Sequence, residues 1–187
     1  EALKAIMAAL HEKNSREEEH SLRVSELCKL IGTELGLAER EIEELSIIGM
    51  FHDIGKVSID EQILNKPGKL TDREYREIKR HAEIGYRILK LVKNMEDIAE
   101  YVLAHHERWD GGGYPRGLQG EEIPLKARIV AIADAYDAMV SYRPYRSQLT
   151  PVQAAEELFR GAGTQFDPDL VQVFVDAIGP HGDLKAN

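Results

Sequence analysis

A single cysteine, Cys28, stands among 187 residues. No disulfide can close within the chain, a reducing cytosol is the expected setting, and a thiolate zinc cage is excluded. Positive charge is also scarce: 24 Lys and Arg against 33 Asp and Glu give a formal net charge of −9. That balance argues against a general basic surface for DNA or RNA. A small anionic ligand still fits, because metals and a few placed cations reverse the sign locally. Long apolar runs are missing too; the stretch holding Leu45, Ile47 and Ile48 is interrupted by Ser46 and falls far short of a membrane span. No signal peptide is visible. The 15 Gly and 7 Pro are too few for a linker or low-complexity protein. The chain opens on Glu1 rather than Met, so it is expected to be part of a longer cytoplasmic protein. That leaves room for an upstream sensor, receiver or membrane-anchoring segment.

No segment alternates with period two, and the fold is expected to be all-α, with 43% hydrophobic residues to fill one core. Residues 1–13 read as a helix with Leu3, Ile6 and Leu10 at helical spacing. It is expected either to pack on its own domain or to act as a linker that dimerises the chain, with the main domain running over 14–187. Residues 16–35 form a helix that Gly36 stops. Further helices are expected over 39–52, 71–92, about 95–107, 125–142, 151–160 and 167–178. Thr71 with Glu74 forms a capping-box pattern, and Thr150-Pro151 and Asp167-Pro168 each pair an N-cap with proline at the first helical position. Residues 110–124, rich in Gly and Pro, form an ordered or mobile loop.

The chemistry lies in histidines and carboxylates set on apolar helix faces. His52 extends the stripe of Leu45 and Ile48, and His81 sits between Ile78 and Ile84. One such histidine alone would read as a satisfied core residue. Here the pattern recurs at His20, His52, His81, His105 and His106, joined by Asp53 and by Asp134 among Val130, Ile132 and Ala133. An unpaired carboxylate among such residues costs several kcal/mol, and a shared cation removes that penalty. Imidazole with carboxylate suits Fe, Mn, Zn or Ni. Seven candidate ligands exceed the needs of one ion, so two divalent ions are expected, bridged by Asp53 next to His52. Ions about 3.5–4 Å apart generate a hydroxide near neutral pH and clamp a phosphate. A dinuclear metallohydrolase is favoured, although a redox di-iron site would use similar ligands.

The dyad His52-Asp53 within FHDIGK resembles that of the HD phosphohydrolases, and HHERWDGGGYPRGLQG at 105–120 resembles the extended signature of their HD-GYP branch. The similarity runs from His20 to Asp169 through NKPGKLT at 65–71, RIVAIADAYDAM at 128–139, RPYR at 143–146 and FDP at 166–168. It implies an HD-domain helical bundle carrying a GYP loop. It also implies a bacterial signalling phosphodiesterase that opens cyclic di-GMP to pGpG and on to GMP, with mixed cyclic GMP-AMP as another substrate in some members. The implied metal ligands are His20, His52, Asp53, His81, His105, His106 and Asp134, holding Fe or Mn. Lys56 is implied to meet the scissile phosphate or its attacking water. Arg143 and Arg146 are implied to grip phosphate, the latter where lysine is common. Tyr114 is implied to line the pocket, with Gly112 and Gly113 letting the loop approach, and Asp137 to lie near the substrate. Trp109 and Asp110 are expected to fix the loop.

One departure bears on metal number. Three-metal members carry a glutamate one turn before the first histidine, where this chain has Arg16 followed by Glu17, Glu18 and Glu19. Two ions are therefore expected, with Glu17 the best substitute ligand for a third. The acidic run also suits a helix N-terminus. A module that binds the nucleotide without turnover is the alternative, disfavoured by the complete ligand set. Other HD-fold enzymes lack the GYP segment.

Overall fold

The computed structural model describes residues 2–142 and 147–179. Among them the fold is all-α: α1 (Ala2–Lys13), α2 (Ser15–Glu34), α3 (Glu39–Phe51), α4 (Glu61–Leu64), α5 (Asp72–Lys79), α6 (His81–Lys90), α7 (Glu96–Ala104), α8 (Leu125–Val140), α9 (Pro151–Gly161) and α10 (Pro168–Ile178). A short 3₁₀ helix, Ile54–Ser58, follows α3, and another, Gly120–Glu122, precedes α8. No described strand forms, and no described helix is long and apolar enough to cross a membrane.

α2 is the central element, packed by α1, α3, α8 and α10. It buries Val24, Cys28 and Ile31 against Leu45 and Ile48 of α3 and Ile132 of α8. α1 packs on its own domain, placing Met7 and Leu10 in that same core. Its Lys13 Nζ donates to the Val57 carbonyl at 2.6 Å, tying α1 to the first 3₁₀ helix. The caps form as the sequence suggests. Thr71 and Glu74 close a reciprocal box, Thr150 and Gln153 close another, and Asp167 accepts from the amides of Asp169 and Leu170.

One expected helix divides. The periodicity over 71–92 holds, but the segment breaks at Arg80 into α5 and α6. The Arg80 amide tightens onto Glu77, and the Ile78 carbonyl accepts a hydrogen bond from His81 Nδ1 at 2.6 Å. The break swings His81 inward. α7 likewise ends at Ala104, so His105 and His106 stand on the turn after it rather than within it.

The first 3₁₀ helix lies on α6 backbone to backbone. A Cβ on Gly55 would meet the His81 carbonyl oxygen at 1.9 Å and the Gly85 nitrogen at 2.6 Å. Only glycine allows this approach, which presses the Asp53 segment against His81.

Candidate metal centre

Five pieces of the fold converge on one buried spot. α2 supplies His20, the end of α3 supplies His52 and Asp53, and α6 begins with His81. The turn after α7 supplies His105 and His106, and α8 supplies Asp134. His52, His81 and His105 are each no more than 1% exposed, and Asp53 is 3% exposed.

Three rings are aimed by the same local device. The Nδ1 atoms of His52, His81 and His105 face the carbonyls of Gly49, Ile78 and Val102, three residues upstream, at 2.7, 2.6 and 2.5 Å. A carbonyl only accepts, so each Nδ1 carries the proton and each Nε2 presents a bare lone pair. His20 is held differently: its Nδ1 lies 2.7 Å from Asp137 Oδ2.

Two groups of liganding atoms lie on either side of Asp53, and a third joins Glu17, His20 and Asp53. Asp53, His81, His105 and His106 can surround one cation, and His20, His52 and Asp134 another. Asp53 Oδ1 lies 3.2 Å from His81 Nε2, whereas its Oδ2 lies 3.1 Å from His52 Nε2 and 3.8 Å from His20 Nε2. Asp134 Oδ1 sits 3.3 Å from His20 Nε2. One carboxylate thus offers an oxygen to each side.

The donor atoms fit divalent cations. His52 Nε2 is buried without a hydrogen-bond partner. His81 Nε2 and His105 Nε2 face each other at 3.4 Å, two acceptors with no proton between them. Such atoms are unfavourable when buried alone and become compatible when a cation stands between them. Nitrogen with carboxylate oxygen is the donor set of Fe, Mn or Zn rather than of an all-oxygen cage.

Electrostatics divide the two sides as the ligands do. Burial, then the neighbouring His81, pushes His106 down to about 3, and burial, then His106 and His81, holds His105 well below its ordinary value. On the other side burial opposes the charged ring of His20, but hydrogen bonds to Asp134 and Asp137 outweigh it and raise His20 to about 10. Burial opposes the Asp134 charge too, yet His20 and His52 hold that carboxyl well below the carboxylate range. Asp53 is also held far down, against burial, by Lys56, His52 and His81.

Lys56 stands at the rim of this nest. Its Nζ contacts Asp53 Oδ2 at 2.6 Å and both Glu17 oxygens at 3.1 and 3.3 Å. Glu17 is buried and also lies within liganding reach of His20 and Asp53. Asp137, expected near the substrate, lies behind His20. It is 2% exposed, and its oxygens are taken by His20 and by Arg23 Nε at 2.6 Å. Arg23 was not anticipated; the available signal was its place three residues after His20, one turn along the same helix face.

Tyr114 stacks on His106, ring centroids 4.9 Å apart at 30°. The GYP loop folds back on the turn that bears the histidines. A Cβ on Gly113 would strike the Arg108 nitrogen at 2.4 Å, whereas Gly112 donates to Asp110 Oδ1 at 2.9 Å without such closeness. Glu107, 4% exposed, accepts from the amides of Arg116 and Leu118, and the Trp109 and Asp110 amides bond Gln165 and Thr164. Arg143 and Arg146, the expected phosphate grip, lie outside the described residues, as does the side chain of Arg16.

A family model for the HD domain matches residues 4–170. A cyclic di-GMP phosphodiesterase of Thermotoga maritima is 43% identical over 158 residues, covering 83% of this chain and 43% of that protein. A cyclic di-GMP phosphodiesterase response regulator of Xanthomonas campestris, RpfG, is 44% identical over 155 residues, 82% of this chain and 41% of its own. The chain therefore spans less than half the length of these relatives. Among solved structures, a cyclic GMP-AMP specific phosphodiesterase of V. cholerae superposes over the whole chain and 50% of its own, with TM-score 0.74 and 22% identity. That last likeness is one of fold.

Proposed function

Because the chain belongs to the HD domain family, in its HD-GYP branch, we propose that it is a metal-dependent phosphodiesterase that hydrolyses cyclic dinucleotides, with cyclic di-GMP as first candidate and cyclic GMP-AMP as second. The observation that carries this reading is the pair of ligand groups flanking Asp53, which turns one oxygen toward each, with bare Nε2 lone pairs facing the gap. Asp53, His81, His105 and His106 would hold one ion and His20, His52 and Asp134 the other, with Asp53 common to both. Two ions of Fe or Mn, when bound, supply an activated water and a positive clamp for the scissile phosphate.

The chain's own residues do the rest. The carbonyls of Gly49, Ile78 and Val102 fix the tautomers of three rings before anything binds. Asp137 orients His20, and its hydrogen bonds with His20 and Arg23 keep it charged against burial. Glu17 and Asp53 hold the Lys56 ammonium at the rim, where it can donate a charge-assisted hydrogen bond to a phosphate oxygen. Since Glu17 already holds that ammonium, the site is read as binding two ions rather than three. Tyr114 borders the entry beside His106, and Arg143 with Arg146 is assigned to phosphate by the family motif. The test is incubation of protein loaded with Mn(II) or Fe(II) with each cyclic dinucleotide, following the linear dinucleotide and the mononucleotide. Chelator-sensitive opening of the ring is expected. Tight binding without turnover would instead make the chain a nucleotide-binding module.

A further inference from the structure

Lys79, the last residue of α5, is a cation whose surroundings the reaction above does not explain. Its Nζ lies 4.6 Å from the ring centre of Tyr75 and 4.8 Å from that of Tyr114, so it is held between two aromatic faces. Tyr114 in turn stacks on His106, a ligand of the centre. The row His106, Tyr114, Lys79, Tyr75 therefore runs outward from the buried site and ends on a ring 49% exposed. Its neighbour Arg80 is paired with Glu77 at 2.9 Å, and Lys66 is paired with Glu74 of the same helix at 2.7 Å. Among the described residues no carboxylate lies within ion-pair distance of Lys79. In a chain of net charge −9, this ammonium is stabilised by ring faces, which leave N–H groups free to donate.

A cyclic dinucleotide carries two phosphodiesters, each with one negative charge. The metal centre and Lys56 serve only the one being cleaved. We propose that Lys79 binds the second phosphodiester of the ring, and that Tyr75 gives the adjoining base a face to stack on. This assignment rests on the cyclic-dinucleotide reading of the site, and it makes α5 the part that tells a two-phosphate ring from a simple diester. The break at Arg80 serves it, since Lys79 points to the rim while His81, two residues on, points into the centre.

Calorimetric titration of metal-loaded protein with cyclic di-GMP, alongside turnover of the same compound, decides the matter. Lys79→Met keeps the apolar stem and removes the charge. It should weaken binding about tenfold or more, the loss expected for one charge-assisted contact. Metal content and hydrolysis of bis(p-nitrophenyl) phosphate, which has a single phosphate, should stay at the unaltered protein's level, and Lys79→Arg should recover most of the affinity. Tyr75→Leu should give a smaller loss of the same kind. Unchanged binding in Lys79→Met overturns the assignment, and so does an equal loss on the small diester, which would make Lys79 a support of the loop. If the unaltered protein binds cyclic di-GMP without cleaving it, the catalytic reading fails while the comparison of variants still decides Lys79. If it neither binds nor cleaves, both fall.

Discussion

The two sides of Asp53 hold similar ligands in opposite electrical states. Toward His81, His105 and His106 the one carboxylate in liganding reach among the described residues is Asp53 itself, and burial keeps the His105 and His106 rings neutral. Toward His20 and His52 the carboxylate of Asp134 also stands in reach, with Glu17 beside His20 and Asp137 behind it, so the proton affinity of both rings is raised. Without a metal, one side keeps bare lone pairs facing each other, and the other draws a proton onto His20. The difference teaches that a ligand set is only part of a site's character. The number of carboxylates around it decides whether a cation must displace a proton.

The comparison suggests four tests. The largest effect is expected from Asp53→Ala, which removes the group common to both sides. Metal content should fall at both, and turnover should drop roughly a thousandfold or more. Near-normal metal content by elemental analysis would show that Asp53 is not shared. Next, Asp134→Ala and His106→Ala should each spare the opposite side. About one equivalent of Mn(II) should then remain tightly bound in either variant, and loss of both ions would mean that the sides do not fill independently.

Asp137→Asn should act more gently, because it loosens the hold on His20 without touching a lone pair that faces the gap. A loss of about ten- to a hundredfold in metal affinity is expected, as for other partners behind a ligand, and it should be confined to the His20 side.

The smallest effect is that of pH on the metal-free protein. His106 titrates near 3 in the fold against an ordinary 6.5, so the unfolded chain takes the proton first. The stability tied to that neutral ring is complete above pH 6.5 and is lost as pH falls from 6.5 toward 3. His20, raised to about 10 from 6.5, behaves oppositely: its contribution is complete below 6.5 and is lost as pH rises through 10. Thermal melts across pH should decline on both flanks. In Asp134→Ala the alkaline decline should shrink while the acid one persists.

Much of this was legible in the chain. Histidines and aspartates on apolar stripes were visible by spacing, and the all-α fold followed from periodicity and caps such as Thr71 with Glu74. The split at Arg80 was not legible, because the periodicity continues through it and the break shows only in the bonds of the Arg80 amide to Glu77 and of the His81 ring to the Ile78 carbonyl. The contacts of Asp137 were not legible for a related reason. One turn along α8 from Asp134 puts it on the same helix face, yet reaching the open site also depends on what lies above it, and that is His20, from a helix more than a hundred residues earlier in the chain. Lys79 lies only two residues before His81, but its two rings come from α5 and from the GYP loop, a pairing that appears only once the loop is folded.

The contact of Gly55 with α6 has a bearing on how such a protein can change over generations. Where two segments are spaced by side chains, a methyl group more or less shifts the gap by small steps, and drift can explore intermediate widths. Here the spacer is main chain against main chain, with a Cβ meeting an oxygen at 1.9 Å, so there is no intermediate step to take. The interval between Asp53 and His81 is fixed as the size of an atom is fixed. Substitutions by degrees are open to parts such as the rim residues of α5 and the loop, whereas any side chain at position 55 must push the Asp53 segment and α6 apart.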